Sequence, residues 1–283
     1  MTGEPRNGSA GRGPAADAGR RTLAPFGRRV APVTGVEQVG AYTVVSACDS
    51  GGPRDPRPGQ FYMLSSEERW GGGADERPYL PRAFSFARIR GDGTLDFMLE
   101  AIGPGTQRLA ELEPGEGLGL VGPLGIGFDV EAAGRPLLVG GGIGAAPLVA
   151  LQDELGEEAR VLLGFRSAAH AEAAGLFFAG DPLVVTDDGS VGRQAFVTEL
   201  LREELDEDPN AVVFACGPPP MLEAVRALAA ERDVPAQLAL ESGMACGYGA
   251  CFGCVVPTRR GLVRLCLEGP VLDAEDLEEV VHS

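Results

Sequence analysis

Short apolar runs separated by turns containing glycine or proline dominate residues 36–124. Runs of this length, rich in β-branched and aromatic residues, predict strands rather than helices. Their close and regular spacing favours a small antiparallel β-barrel. The runs are AYTVVSAC, QFYMLSS, AFSFARIR, TLDFMLEA and GLGLVGPL. A short helical pattern, QRLAEL, precedes the last of them.

The pattern changes over residues 135–240, where apolar runs alternate with amphipathic helical stretches. This alternation predicts a parallel sheet covered by helices, an α/β unit. The predicted strands are PLLVG, ARVLLGF, PLVVTDD, AVVFACG and AQLALE, and the predicted helices are AAPLVALQDEL, AFVTELLREEL and PMLEAVRALAAERD. The fold class is therefore predicted to be α+β multidomain, a β-barrel followed by an α/β parallel-sheet domain and a small C-terminal domain.

These changes of pattern divide the chain into four parts. Residues 1–22 are rich in Gly, Ala and Arg and lack an apolar core segment, so we expect a disordered tail rather than a secretory signal. The longest apolar run, residues 136–151, has 16 residues and is interrupted by four glycines and Pro147, which is too short for a membrane span. The predicted parts are 1–22, 23–132, 133–240 and 241–283.

The net charge of the chain limits the classes of partner that we expect it to bind. The formal net charge is −17, and all 24 basic residues are arginine. So large a negative excess argues against nucleic acid or an anionic membrane as a partner. We expect a cytoplasmic protein, and the reducing cytoplasm favours metal binding or redox chemistry over disulfides for clustered cysteines.

Four of the six cysteines have the spacing C-x4-C-x2-C-x11-C. They are Cys246, Cys251, Cys254 and Cys266. The first three match the C-x4-C-x2-C run of plant-type [2Fe–2S] proteins, and four thiolates complete a ligand set. Glycines between them permit the backbone to approach a cluster closely. A structural zinc site and unligated cysteines are the alternatives, although zinc sites usually show two close cysteine pairs.

Three segments could bind phosphate groups. Arg82-Ala83-Phe84-Ser85 lies in the predicted barrel, followed by Gly103-Pro104-Gly105-Thr106 ahead of the short helix. Arginine binds phosphate through two parallel hydrogen bonds, and a helix start offers free N–H groups. The run from Gly140 to Pro147 sits between the first strand and the first helix of the α/β part, where a dinucleotide pyrophosphate would bind. Each of these turns, taken alone, is common in proteins without a ligand.

The order of these motifs resembles the ferredoxin–NADP reductase superfamily. With the C-terminal cysteines, the chain resembles the electron-transfer subunit of type B dihydroorotate dehydrogenase from about residue 25 to the end. The closest correspondence lies in MACGYGACFGC, FACGPPPML and GPLGIGF. The resemblance implies FAD, NAD and a [2Fe–2S] cluster as cofactors. It also implies that this chain relays electrons to NAD+ from a separate FMN-containing subunit that oxidises dihydroorotate in pyrimidine biosynthesis, in a heterotetramer of two plus two.

The resemblance also implies roles for individual residues. Ala83 departs from the proline that the family often has there. The residues implied for FAD are Arg82, Ala83, Phe84, Ser85, Met98, Leu99, Glu100, Gly105 and Thr106. Those implied for NAD are Gly141, Gly142, Gly144, Asp188, Gly217, Pro218 and Met221. Cys216 would lie at the hydride-transfer position, and the four clustered cysteines would hold iron.

Two alternatives to the dihydroorotate relay stay open. The same cofactors occur in reductase subunits of hydrogenase, sulfide-oxidising or NADH–ferredoxin complexes. The second alternative is a zinc-stabilised binding protein without redox activity. The choice between NAD and NADP also stays open, because Arg166 after the second α/β strand could meet a 2′-phosphate or stack on adenine.

Overall fold

The structure is a computed structural model that describes residues 18–25, 27–71, 78–178 and 180–280. The first 17 residues of the predicted tail lie outside these ranges. Thr22 hydrogen-bonds to Gln60, and Arg20 donates to the carbonyl of Gly127 at 2.9 Å. Arg20 and Thr22, which fall within the predicted tail, are therefore bound to the folded part of the chain.

The first sheet is antiparallel and lies within the predicted barrel region. Its strands are β1 (Arg29–Val39), β2 (Tyr42–Cys48), β3 (Phe61–Ser66), β4 (Arg82–Ser85), β5 (Arg88–Ile89), β6 (Thr94–Leu99) and β7 (Gly117–Leu124). Their order is β4-β3-β7-β1-β2-β6-β5. Only Phe86 and Ala87 separate the two outermost strands in sequence, so the sheet must curl into a half-barrel. The helix α1 (Pro104–Ala110) packs against β2 and β3.

The strand β1 was not among the predicted runs. It contains Pro32 and Gly35, residues that sequence patterns associate with turns. The pairing of β1 with β2 shifts register between Val33 and Gly35, which is where a bulge accommodates these residues. Tertiary pairing with β2 and β7 therefore makes a strand of a segment with weak local preference.

The parallel sheet follows the predicted alternation. Its parallel strands are β8 (Arg135–Gly141), β9 (Arg160–Phe165), β10 (Leu183–Thr186), β11 (Arg193–Gln194), β12 (Ala211–Cys216) and β13 (Ala236–Ala239). The helices of this part are α2 (Ala145–Leu155), α3 (Ala168–Ala171), α4 (Val197–Glu207) and α5 (Pro219–Arg232). The order β11-β10-β9-β8-β12-β13 reverses between β8 and β12. Parallel α/β sheets bind ligands at this point, beyond the carboxyl ends of the strands.

The C-terminal segment does not stand apart from the parallel sheet. It forms a hairpin of β14 (Val255–Thr258) and β15 (Gly261–Arg264), the helix α6 (Leu265–Glu268) and the strand β16 (Val271–Asp273). β16 pairs antiparallel with β13 and becomes the seventh strand of that sheet. Buried side chains from the half-barrel, the parallel sheet and this segment form one continuous apolar cluster.

Short 3-10 turns connect several of these elements. They are Ala18–Arg20, Gly142–Gly144, Gly156–Glu158, Glu172–Leu176 and Ala274–Asp276. Within the described ranges, none of the helices combines the length and the hydropathy needed to cross a bilayer.

Candidate functional site

A cavity of about 230 Å³ lies where the half-barrel, the parallel sheet and the C-terminal segment meet. Ala83, Phe84 and Ser85 of β4 line it from the half-barrel, together with Met98 of β6. Four of the residues predicted to contact FAD therefore share one wall. This wall is mostly apolar, and small-molecule sites commonly combine such surfaces with a few polar groups.

The other two walls of the cavity come from separate parts of the chain. Gly144 and Cys216 line it from the carboxyl ends of the parallel strands. Glu241, Ser242 and Met244 line it from the segment that leads to the first clustered cysteine. The cavity thus joins residues predicted for FAD, for NAD and for the segment beside the cysteines.

Arg82 and Gly105 are packed directly against each other beside this wall. A Cβ atom at position 105 would lie 2.6 Å from Nε of Arg82, so a larger residue there would displace the guanidinium. Arg82 Nη1 donates to the carbonyl of Leu80 at 2.6 Å. The Thr106 hydroxyl accepts from the backbone N–H of Gly103 at 3.1 Å. The guanidinium and the start of α1 therefore face the same space, as binding of a pyrophosphate requires.

Leu99 and Glu100, the two residues that follow Met98, are not among the residues that line the cavity. Leu99 is buried among the half-barrel side chains, since successive strand residues face opposite sides of a sheet. Glu100 follows β6 and pairs with Arg166 of the parallel-sheet part, with its Oε1 lying 3.5 Å from His170 Nε2. Of these three predicted FAD contacts, only Met98 lines the cavity.

The glycine-rich turn after β8 packs tightly against the turn after β12. A Cβ at Gly141 would lie 2.4 Å from Met221 Sδ, and one at Gly144 would lie 2.4 Å from the carbonyl oxygen of Cys216. A Cβ at Gly217 would also meet Met221, 2.8 Å from its Sδ. The two turns form one surface at the point where the strand order reverses.

The remaining residues predicted for NAD border this surface. Gly142 adopts a φ of +55°, which glycine tolerates best. Pro218 is the residue before α5. Asp188 is exposed, and hydrogen bonds from the Ser190 side chain and backbone lower its pKa.

Cys216 and Glu241 both line the cavity, and the charge of Glu241 acts on the Cys216 thiol. Burial raises the pKa of the Cys216 thiol, and the nearby Glu241 charge raises it further. The Glu241 carboxyl opens onto the cavity, yet the surrounding protein displaces enough water for desolvation to raise its pKa. Both groups are therefore held toward their neutral forms.

Sequence reasoning missed Glu241. Glu241 lies two residues beyond the end of β13, at the carboxyl edge of the parallel sheet where ligands bind. Its position beyond the end of a predicted strand was the sequence signal that could have identified it as a site residue.

The four clustered cysteines fall into two pairs. The backbone N–H of Cys251 points at Cys246 Sγ, 3.5 Å away, and the two side chains interact. Cys254 and Cys266 form the second pair, close enough for the Cys254 side chain to raise the pKa of Cys266. A [2Fe–2S] cluster takes two thiolates on each iron, whereas a structural zinc ion takes all four.

The sulfur environments differ between the pairs. Burial raises the pKa of Cys246, but backbone N–H groups outweigh it and bring the pKa down to about 7. Burial and the neighbouring Cys254 raise the pKa of Cys266 to about 12. Across the described ranges, no three His, Cys, Asp or Glu side chains converge closely enough to hold a single metal ion. The two cysteine pairs match the ligand set of a [2Fe–2S] cluster, which takes two thiolates on each iron.

The loop between these cysteines wraps closely around them. Gly247 and Gly249 have φ values of +78° and +84°, and Phe252 has +59°. A Cβ at Gly247 would lie 2.5 Å from Met63 Cγ, and one at Gly249 would lie 2.5 Å from Leu267 Cδ1. The glycines are needed both for backbone conformation and for space.

Comparison with known proteins identifies the family. Residues 241–278 match the model of the iron-sulfur cluster binding domain of dihydroorotate dehydrogenase B. The dihydroorotate dehydrogenase B (NAD(+)) electron transfer subunit of Caldanaerobacter subterraneus subsp. tengcongensis is 33% identical over 231 residues, 79% of this chain and 88% of that protein. The subunit of the same name from Geobacillus thermodenitrificans is 39% identical over 233 residues, 78% of this chain and 86% of that protein.

The chain belongs to the family of dihydroorotate dehydrogenase B electron transfer subunits. This confirms the family predicted from the order of the motifs. The family name itself implies a catalytic partner subunit.

Solved structures support the fold of this family member. The structure of an NADH-dependent reduced ferredoxin–NADP oxidoreductase aligns with a TM-score of 0.75 and 24% identity, covering 90% of this chain and 92% of that one. The ferredoxin reductase in carbazole 1,9a-dioxygenase aligns with a TM-score of 0.61 and 23% identity, covering 74% of this chain and 66% of that one. The predicted fold class is therefore confirmed.

Proposed function

We propose that this chain passes electrons to NAD+ from a separate FMN-containing subunit that oxidises dihydroorotate in pyrimidine biosynthesis. One observation carries the proposal: Ser85, Cys216 and Met244 line a single cavity, and Met244 lies two residues before Cys246. Residues for a flavin, for a nicotinamide and for a cluster thus meet in one place. The proposed parts are a flavin domain (23–132), a nucleotide domain (133–240) and a cluster domain (241–283).

The half-barrel would hold FAD. Arg82 and the start of α1 at Gly105 and Thr106 would bind its phosphates, while Phe84 and Ser85 would orient its ring. Bound FAD couples two-electron exchange with nicotinamide to one-electron exchange with an iron–sulfur cluster. The apolar walls of the cavity would exclude water from the ring. Ala83 and Met98, on the same wall, would pack against it.

The crevice of the parallel sheet would hold NAD. The turn from Gly141 to Gly144 would accept the pyrophosphate, because its glycines leave the backbone N–H groups accessible. These glycines pack against a second turn, formed by Gly217, Pro218 and Met221. This second turn would support the nicotinamide end of NAD. Cys216, neutral and buried, would contact the ring without adding charge.

The two cysteine pairs would hold the [2Fe–2S] cluster. Backbone N–H groups of Cys251 and Gly253 point at the sulfurs of Cys246 and Cys251, which stabilises thiolate ligands. All six cysteines are free of disulfides, which suits a location in the reducing cytoplasm.

The surface beside the cysteines would dock the FMN-containing subunit. Tyr248, Phe252 and Leu262 are exposed large apolar side chains, at 62%, 62% and 74%. They lie on the cysteine loop and on β15, and exposed apolar groups of this kind mark interaction sites. We propose two copies of each subunit in the complex.

Replacing Phe252 tests this docking surface. Phe252→Asn keeps a residue that tolerates the left-handed backbone conformation and should weaken association with the FMN subunit by about tenfold or more. Phe178→Asn is the matched control, because Phe178 is also exposed and also lies under an arginine. Equal effects of the two variants, measured by analytical ultracentrifugation, would argue against the surface.

The central test is spectroscopic. Anaerobically purified protein should contain about one flavin, two irons and two sulfides per chain, and show the EPR signal of a reduced [2Fe–2S] cluster. With the FMN subunit added, dihydroorotate should reduce the bound flavin. Cys251→Ser should lose the iron, whereas Cys48→Ser should keep it, since Cys48 lies outside the cluster segment. Bound zinc, together with the absence of flavin absorption bands, would refute the proposal. If NADH reduces the flavin but dihydroorotate with the FMN subunit does not, the chain serves another partner.

A further inference from the structure

The last residues of the predicted N-terminal tail are held by the half-barrel. Arg20 Nε donates to the carbonyl of Gly127 at 2.9 Å, and the backbone N–H of Gly127 donates to the carbonyl of Arg20 at 2.8 Å. The backbone N–H of Thr22 donates to Gln60 Oε1 at 3.1 Å, and Gln60 Nε2 donates to the carbonyl of Thr22 at 3.1 Å. These paired hydrogen bonds fix the backbone on both sides of Arg21.

Arg21 bridges the half-barrel and the C-terminal segment. Its Nε donates to the carbonyl of Gly125, just after β7, at 3.3 Å, and its Nη2 donates to the carbonyl of Leu267 in α6. The two parts also contact each other there, since the backbone N–H of Ile126 donates to the carbonyl of Gly269 at 2.5 Å. One guanidinium therefore spans the junction between the loop after β7 and α6.

Leu267 lies beside the proposed iron ligands. It directly follows Cys266, and its side chain packs against the cysteine loop, where a Cβ at Gly249 would lie 2.5 Å from Leu267 Cδ1. Consecutive Cα atoms are about 3.8 Å apart, and adding standard bond lengths and the hydrogen bond places the Arg21 guanidinium at most about 12 Å from Cys266 Sγ. The charge of Arg21 is thus held close to the cysteine sulfurs.

The charge of Arg21 is not neutralised by its contacts. Both of its hydrogen-bond acceptors are carbonyl oxygens, and within the described ranges it forms no ion pair with a carboxylate. Arg264 also donates to the cysteine loop, at 3.3 Å from the carbonyl of Gly249, but it pairs with Glu268 at 3.9 Å. In a chain with a net charge of −17, Arg21 therefore supplies an unpaired positive charge beside the cysteines.

We propose that Arg21 is a positioning residue that clamps α6 to the half-barrel and, through its charge, raises the reduction potential of the iron–sulfur cluster. The assignment rests on the [2Fe–2S] cluster proposed at the four cysteines. An added electron makes the cluster more negative, so a nearby positive charge favours the reduced form. At an effective dielectric constant of about 20, a unit charge about 12 Å away changes the ratio of reduced to oxidised cluster about tenfold.

The test is a redox titration of the flavin-loaded, iron-loaded protein, followed by the EPR signal of the reduced cluster. Arg21→Gln removes the charge but keeps a hydrogen-bond donor, and should lower the cluster midpoint by the tenfold equivalent for one electron, about 59 mV. Arg21→Lys keeps the charge and should change the ratio less than about twofold. Arg28→Gln is the matched control, because it removes the same charge from an arginine that packs over Gly119 of β7 instead of α6.

An unchanged midpoint in Arg21→Gln, or an equal fall in Arg28→Gln or Arg21→Lys, overturns the inference. If Arg21→Gln retains too little iron to titrate, Arg21→Lys decides alone: full iron content with an unchanged midpoint supports the inference, and a tenfold fall overturns it. Absence of the reduced-cluster EPR signal in the unaltered protein overturns the proposed function as well. A normal signal in the unaltered protein, without a shift in Arg21→Gln, overturns only the role of Arg21.

Discussion

At the scale of single residues, the conformation of the cysteine loop favours glycine at position 247. Gly247 has a φ of +78°, and a Cβ there would lie 2.5 Å from Met63 Cγ. We expect Gly247→Ala to lose most of its iron and to destabilise the protein by about 1–3 kcal/mol, since both the backbone and Met63 must shift. Iron content and urea unfolding measure the two effects.

Gly243→Ala is the control for that variant. Gly243 belongs to the same segment, but its φ is not in the left-handed region and a Cβ there would meet nothing within 4 Å. It should keep full iron content. If both alanine variants bind iron normally, the loop does not hold the cluster in the way proposed.

Glu241 makes stability depend on pH. Desolvation raises its pKa above the ordinary value of 4.5, so the folded protein binds this proton more tightly than the unfolded chain. Its stabilising contribution is therefore complete below pH 4.5 and is lost as pH rises through the raised pKa. Glu241→Gln should flatten this fall in stability.

Urea unfolding between about pH 4 and about pH 8 measures the slope. Glu207→Gln, at an exposed position on α4, serves as the control and should leave the slope unchanged. A Glu241→Gln profile that parallels the unaltered protein would show that the carboxyl titrates alike in both states.

At the scale of elements, one carboxylate ties a helix to two strands. Glu204 of α4 accepts from Arg135 of β8 at 2.8 Å and from Arg160 of β9 at 3.0 Å. Its side chain is 11% exposed. Glu204→Ala should destabilise the protein by about 1–3 kcal/mol, because two partly buried arginines lose their partner.

The neighbouring residue provides the comparison for Glu204. Glu203 pairs with Arg193, but both side chains are at least 50% exposed. Glu203→Ala should cost less than about 0.5 kcal/mol, as exposed ion pairs contribute little. Chemical denaturation of the two variants side by side measures the difference, and equal losses would contradict the assignment.

At the scale of the whole molecule, the three parts share one core. Phe61 and Met63 of the half-barrel, Leu238 of the parallel sheet and Cys254 and Leu265 of the C-terminal segment belong to one buried apolar cluster. Ligands that bind only the folded state stabilise everything that unfolds with it. Removing the iron should therefore lower the unfolding midpoint of the entire chain, by about 5 °C or more.

Circular dichroism and flavin fluorescence, recorded on loaded and chelator-treated protein, check this coupling. Both probes should give one coincident transition that moves down together. Separate transitions, with the parallel sheet unaffected by iron removal, would show that the parts unfold independently.

The sequence alone predicted the two sheet types, the four-cysteine motif and the turns that border the cavity. These features depend on residues close together in the chain: alternation of strand and helix, glycine at turns, and cysteine spacing. The family followed from the order of the motifs and is confirmed by the relatives. For the sheets, the cysteine motif and the turns, patterns within short stretches of the sequence were sufficient.

Only the tertiary structure decided what those pieces build together. β1 and β16 are strands because distant partners pair with them, despite the weak local preference of Pro32 and Gly35 in β1. Glu241 reaches the cavity, and Glu100 reaches Arg166, because the packing of separate parts brings them there. Such contacts join residues far apart in the chain, and no local pattern records them.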